Sequence, residues 1–360
     1  MKDILSKRER VERTLNFLPV DRVAIHEQVS HNPVVISLYT GKKIESFNYT
    51  IEDICVVIGK TLDVCFPPVA PRGIKKTVTE DGFTMQYDNW TSWCIKRPFH
   101  DTKGLKEYYL KNIEKMKNSG FDQEEEREKY EKKFLELQKM IGDDTVIIDY
   151  SYVGLEPCWT KAGIDLFTYL YYDEPEIISE WLTVFVENEI KRVHAIADKN
   201  LSPVILAVSD LASKIGPIFS PEFLRKEHFP HLKRLVETWH SHGFKVIYHS
   251  DGNYKILIDD FLRCEVDGFY CLEPACGMDI IELKKKYPKV VWAGGLDGVD
   301  LMERGTPENV RREVRRQIEE TDALNTGGLF LGTSSEINPP IKVENYQAMI
   351  EEARSISRDF

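Results

Sequence analysis

Seven segments of this chain place an acid, an imidazole or a thiol directly after a short apolar run. His26 and Glu27 follow Arg22–Ile25, and Asp149, Tyr150 and Tyr152 close the run that begins at Thr145. Ser209 and Asp210 follow Pro203–Val208, while His249, Ser250, Asp251, Gly252 and Asn253 follow Lys245–Tyr248. Cys271 and Glu273 end the run from Gly268. Gly294, Gly295 and Asp297 follow Val290–Ala293, and Thr333, Ser334, Ser335 and Glu336 follow Gly328–Leu331. His249, Asp251 and Glu273 are ligand types suited to a zinc-like ion with an open coordination position, and Glu336 is a fourth candidate. Asp210, His26 and Tyr152 are the catalytic candidates: the first two as proton donors or substrate orienters, and Tyr152, with Tyr150 and Trp159, as walls for an aromatic substrate. Bland roles compete with each of these. Asp210 and Asp251 stand where helix caps stand, His249 follows a core-like run, and Glu273 before Pro274 suits a rim ion pair. The same three ligands from two neighbouring strands would also fit a polar cage around a substrate.

What must position these residues is legible in the alternation of patterns. Apolar runs of strand length alternate with helix-length segments at least six times, over Pro175–Lys199, Pro221–His242, Tyr254–Arg263, Asp279–Lys286, Pro307–Glu320 and Glu344–Ser357. Nearly continuous apolar strands of this kind are buried on both faces by crossover helices. In about 360 residues the pattern predicts an α/β fold, a (β/α)₈ barrel, with a doubly wound open sheet as the alternative. No GxGxxG follows a strand, so nothing supports a dinucleotide fold. In a parallel barrel the chemistry sits at the C-terminal ends of the strands, where every candidate above falls. A helix from Asp3 or Ser6 to Phe17 forms an N-terminal extension. Residues 33–66 read as helical pieces, and Lys76–Thr79 with Phe83–Tyr87 as a hairpin turning at Asp81–Gly82. The charged stretch at about 100–142 reads as a helical insertion on the outside of one single domain spanning 1–360.

Composition narrows the function. Lys plus Arg number 48 against 59 Asp plus Glu, a net charge of −11, which argues against nucleic acid or an anionic membrane as the main partner. No apolar run reaches the roughly 20 residues needed to span a bilayer, and the charged start has no signal-peptide core. A cytoplasmic location is expected. The seven cysteines include no CxxC pair and read as reduced, mostly buried thiols.

The residues also resemble a family. Arg8–Asn16 followed by Pro19–Val23 is similar to the opening of the uroporphyrinogen decarboxylase superfamily. So are His249-Ser-Asp-Gly252 with Leu257–Asp260, Val266–Gly268, Leu272-Glu-Pro274, Gly277-Met-Asp279, Leu283-Lys284, Gly294-Gly-Leu-Asp297, Gly305-Thr-Pro307 and Glu344-Asn345. The resemblance is to the branch with corrinoid-dependent and coenzyme M methyltransferases, and it implies a (β/α)₈ barrel. Porphyrinogen decarboxylases of the superfamily carry an Arg-rich loop after the first strand. Here that stretch is His26–Pro33, without arginine, a poor binder of many carboxylates. The thiol-methylating branch has His-x-Cys on one strand and a further Cys after the last. Here His249 matches the first position, Asp251 takes the second, and Ser335 beside Glu336 the third.

With both thiolates replaced, the site implied is harder and more Lewis acidic, fitted to polarising an oxygen. The function expected is transfer of a methyl group from a methoxylated small molecule, aromatic methyl ethers included, to the cobalt of a separate corrinoid protein. It would use zinc on this chain and cobalamin on the partner, with a homodimer possible. The alternatives are a lyase decarboxylating a small acid or a porphyrinogen on the same barrel, and a non-catalytic subunit that docks a corrinoid protein.

Overall fold

A computed structural model describes residues 3–142 and 144–358. Eight parallel strands follow one another around a ring. They are β1 (Ala24–Glu27), β2 (Val64–Cys65), β3 in two pieces (Val146–Ile147 and Tyr150–Tyr152), β4 (Val204–Val208), β5 (Lys245–His249), β6 (Gly268–Tyr270), β7 (Val291–Ala293) and β8 (Leu329–Leu331). Each pairs with its neighbours in chain order, and β8 pairs back onto β1, with Ala24 opposite Phe330. The ring closes through β3 itself. Its first piece pairs with β2 and its second with β4. Across the break, Ile148 N–H donates to Cys65 O (2.8 Å) and Leu206 N–H to Asp149 O (3.0 Å). This is the expected (β/α)₈ barrel. Short β-branched and aliphatic side chains such as Val64, Val146, Val204, Ile247 and Val291 fill its interior, as a closed ring of buried parallel strands requires.

The expected N-terminal helix is Lys7–Leu15, capped by Ser6. It is the barrel's floor, because Val11 and Leu15 belong to the same buried cluster as the interior strand residues. Buried ion pairs fix it. Arg10 contacts Asp21 Oδ1 and Asp63 Oδ1, each at 2.7 Å, and Arg22 contacts Asp63 Oδ2 at 2.6 Å. Burial pushes the Asp21 carboxyl up, but Arg10 and the Leu5 and Ile4 N–H groups outweigh it and hold the group well below the usual range.

Several expectations need correcting. Residues 33–66 are not only helical. After the helices Pro33–Thr40 and Ile51–Thr61 comes β2, a strand of two residues too short to leave a period-2 signature. The hairpin is present, and Ser92–Lys96 adds a third strand to Lys75–Val78 and Thr84–Tyr87. The helix expected over Pro221–His242 breaks at His228 into Pro221–Glu227 and Phe229–Ser241, since Pro230 has no N–H to continue the ladder. The charged stretch holds helices Thr102–Asn118 and Gln123–Ile141. The second occupies the β2-to-β3 crossover. Tyr109 and Phe134 lie in the main core cluster, so these helices cover the barrel, and their charges mark only the solvent side. Among the described residues no helix is long and apolar enough to cross a membrane.

Candidate functional site

The C-terminal mouth of the barrel gathers most of the predicted residues. His249 ends β5, and its ring packs on Tyr270 of β6, 5.3 Å between centroids. Its Nε2 lies 3.5 Å from Asp210 Oδ1 and 3.8 Å from Asp251 Oδ1, and its Nδ1 is buried without a hydrogen-bond partner. Asp210 accepts from the Asp251 N–H (3.1 Å), which ties the β4 exit to the β5 exit. Neither aspartate caps a helix. The turn after β5 starts at Tyr254 without a side-chain cap, and Ser220 caps the helix after β4.

Cys271, the residue after β6, completes the group. One donor atom each from His249, Asp251 and Cys271 lies within 4.8 Å of the others. The Cys271 sulfur is 2.9 Å from Asp251 Oδ1 and 2.8 Å from Ser334 O. Its backbone takes φ 70°, a conformation a side chain with a Cβ adopts only under constraint. Burial and then the Asp251 carboxylate raise the thiol far above its ordinary range. Asp251 is half open to the mouth, yet surrounding protein atoms desolvate it. Burial raises its carboxyl, as do Asp210 and Glu273, while His249 opposes them. Nitrogen, carboxylate oxygen and sulfur brought together at an open mouth fit a zinc-like ion that keeps a free position.

Two predicted ligands lie outside this trio. Glu273 Oε1 accepts the Gly252 N–H (3.0 Å), and its Oε2 lies 2.9 Å from the Cys276 sulfur, so it shapes the loop bearing Asp251. Glu336 accepts from Ser335 Oγ (3.0 Å), and its charge acts on His31 and Glu27, on the β1 side of the mouth.

Below the trio the floor is aromatic. The His26 ring meets Phe66 at 4.8 Å and Tyr270 at 4.7 Å, both edge-on. Burial, and then the His249 charge, push the His26 imidazole down to about 3. It is therefore neutral at physiological pH and suited to orienting a substrate, not to donating a proton as imidazolium. Phe66 stacks on Tyr150 (5.3 Å), and Tyr150 on the half-exposed Tyr152 (6.4 Å). Trp159 packs instead against Phe219, away from this column.

Residues 160–356, which include β4 to β8, match the sequence profile of the uroporphyrinogen decarboxylase (URO-D) family. The chain belongs to the URO-D family. A solved methyltransferase from Methanosarcina mazei superimposes with a TM-score of 0.66 over 98% of this chain and 99% of that one, at 15% identity, a likeness of fold. A sugar phosphate isomerase/epimerase from Parabacteroides distasonis shares 12% identity over 62% of this chain and 76% of that one, with a TM-score of 0.34 that bears no weight. No curated protein matches the sequence significantly. In this family member the loop after β1 is partly structural. Asn32 caps Pro33–Thr40 and donates to Asn338 O and Ile341 O.

Two residues of the site were not assigned a ligand or catalytic role from sequence. Cys271 stood at a strand exit but resembled the other buried thiols. Its positive φ and its Asp251 contact, between positions 20 apart, have no sequence signature. Glu156, on the helix Leu155–Ala162, accepts the Asp210 N–H at 3.1 Å. Burial and the Asp210 charge raise its carboxyl, so it holds a proton more readily than an ordinary glutamate. Its place four residues beyond the end of β3 was the available signal.

Proposed function

We propose that this URO-D family member is a methyltransferase that moves a methyl group from a methoxylated, aromatic small molecule to the cobalt of a corrinoid protein. The observation that carries the reading is the convergence of His249, Asp251 and Cys271 on one point of the barrel mouth. An ether methyl is a poor electrophile because the departing oxygen is basic. A zinc ion held by these three residues would supply Lewis acidity toward that oxygen. In the reaction the carbon–oxygen bond breaks, a carbon–cobalt bond forms and the oxygen takes up a proton. Glu156, with its raised carboxyl beside Asp210, is the proton donor in this reading. His26 orients the donor from the floor as a neutral hydrogen-bond partner, and Phe66, Tyr150 and Tyr152 form the wall against which an aromatic ring stacks. Decarboxylation of a porphyrinogen is disfavoured by the lack of arginine in the His26–Pro33 loop.

The test is anaerobic incubation of the zinc-loaded protein with cob(I)alamin and a panel of methoxylated arenes, followed by absorbance. Growth of the methylcobalamin spectrum with stoichiometric loss of the methoxy group is expected. Absence of methyl transfer from every donor, together with carbon dioxide release from a small acid, would overturn the reading in favour of a lyase.

A further inference from the structure

The charges at the mouth are one-sided. The first four residues after each of the eight strands contain no lysine or arginine, whereas Glu156, Asp210, Asp251, Glu273 and Asp297 all fall there. Two of these carboxylates stand beside a single imidazole, Asp210 at 3.5 Å and Asp251 at 3.8 Å from the His249 Nε2, and Glu156 and Glu273 are tied to them. Glu156 and Asp210 are joined through the Asp210 N–H, Asp210 and Asp251 through the Asp251 N–H, and Glu273 holds the Gly252 N–H. The charges of Glu156, Asp210 and Asp251 act on one another and on His249. The cations on the chain near this face are exposed or engaged. Arg72 and Lys214 lie on the solvent side of their loops. Arg192 is spent on Glu189 at 2.8 Å and Asp149 at 3.7 Å. A divalent ion on the trio does not reverse the balance, because the Asp251 carboxylate and a Cys271 thiolate would offset its two charges.

The floor points to a ligand independently of these acids. His26 is 3% exposed, and its Nδ1 has no hydrogen-bond partner. A buried polar nitrogen without a partner is costly, and here it stands among the rings of Phe66 and Tyr270. A flat apolar ring carrying one hydroxyl satisfies both features. The ring continues the Phe66–Tyr150–Tyr152 column, and the hydroxyl supplies a hydrogen-bond partner for a neutral imidazole.

We propose that the methyl donor is an uncharged methoxyarene of the methoxyphenol class, and that the mouth rejects carboxylated methoxyarenes; this rests on the methoxyarene reading above. A carboxylate entering this mouth is desolvated beside like charges and, among the described residues, meets no buried lysine or arginine at the strand exits to pair with, a juxtaposition that suppresses wrong ligands.

The experiment compares binding of 2-methoxyphenol and 4-hydroxy-3-methoxybenzoate to the zinc-loaded full chain by calorimetry, without cobalamin, so that no turnover occurs. The uncharged compound is expected to bind roughly tenfold tighter or better at low salt. The gap should narrow at high salt, where screening weakens the repulsion, and in Asp210→Asn, whose amide oxygen can still accept the Asp251 N–H. Salt dependence keeps the test open should that variant fold poorly. Equal or tighter binding of the carboxylate overturns the proposal, and so does binding of neither compound. Methylcobalamin formed from a non-aromatic donor would then leave methyl transfer standing while this inference falls. Selective binding with no methylcobalamin would do the reverse.

Discussion

His249 and Cys271 approach one point from adjacent strands, and the hydrogen-bonded pairing of β5 with β6 fixes their separation. His249→Ala removes the nitrogen donor, so metal analysis should show loss of stoichiometric zinc together with methyl transfer. Retained zinc with unchanged turnover would exclude His249 as a ligand. Substitution of zinc by Co(II) reports on sulfur. The near-ultraviolet thiolate-to-cobalt absorption should vanish in Cys271→Ser and persist in Cys276→Ser, whose sulfur faces Glu273. Asp251→Cys should keep zinc, because thiolates bind it well, but slow ether cleavage. An extra thiolate lowers Lewis acidity, and a loss of about 1.4 kcal/mol in transition-state stabilisation is a tenfold slower rate. An unchanged rate at full zinc would count against oxygen polarisation. The histidine and its neighbouring aspartate were legible because both stand at the exit of one strand. Glu273 looked equally eligible, since a sequence does not reveal that its two oxygens are engaged by Gly252 and Cys276.

Between elements, Glu27 is the tie that sets the loop after β8. It accepts from the Thr333 N–H and from Thr333 Oγ1 (3.0 Å), and that loop brings Ser334 O to Cys271. Burial pushes the Glu27 carboxyl up to about 8, against the opposing hydrogen bonds from Thr333. A carboxyl raised in the folded state keeps a proton that the unfolded chain has already released. Between its usual 4.5 and about 8 this group therefore makes stability fall as pH rises. Glu27→Gln should flatten that part of the pH dependence, measured as the urea midpoint at pH 5 and pH 8 in the variant and the parent. An identical slope in the two proteins would show that Glu27 is not the group responsible. The strands Glu27 connects were legible to different degrees. β8 is a clear apolar run before a polar exit. β2 is two residues between a helix and Pro67-Pro68, and β3 breaks at Ile148 and Asp149, so neither had a full strand signature.

On the scale of the molecule, the opening stretch Arg8–Val23, which carries much of the family resemblance, makes structure and not chemistry. Arg10, Asp21, Arg22 and Asp63 interlock beneath the barrel, with Arg10 and Asp63 fully buried. Removing one member of a buried charge network leaves the others uncompensated, at a cost of about 3–5 kcal/mol. Asp63→Ala should therefore lower the thermal midpoint sharply while any folded fraction still binds zinc. A small shift would mean that the network contributes little. The seam between β1 and β8 has a consequence for biosynthesis. The contact of Glu27 with Thr333 joins positions 306 apart, so β1 leaves the ribosome with one edge unpaired until β8 is made. At ~5–20 residues per second that interval is about 15–60 s. For that time the nascent chain carries an open strand edge, the kind of template that recruits other chains. A chain ending at residue 320 would keep that edge for good and is expected to need chaperones to remain dispersed, whereas the full-length chain closes the seam on its own last strand.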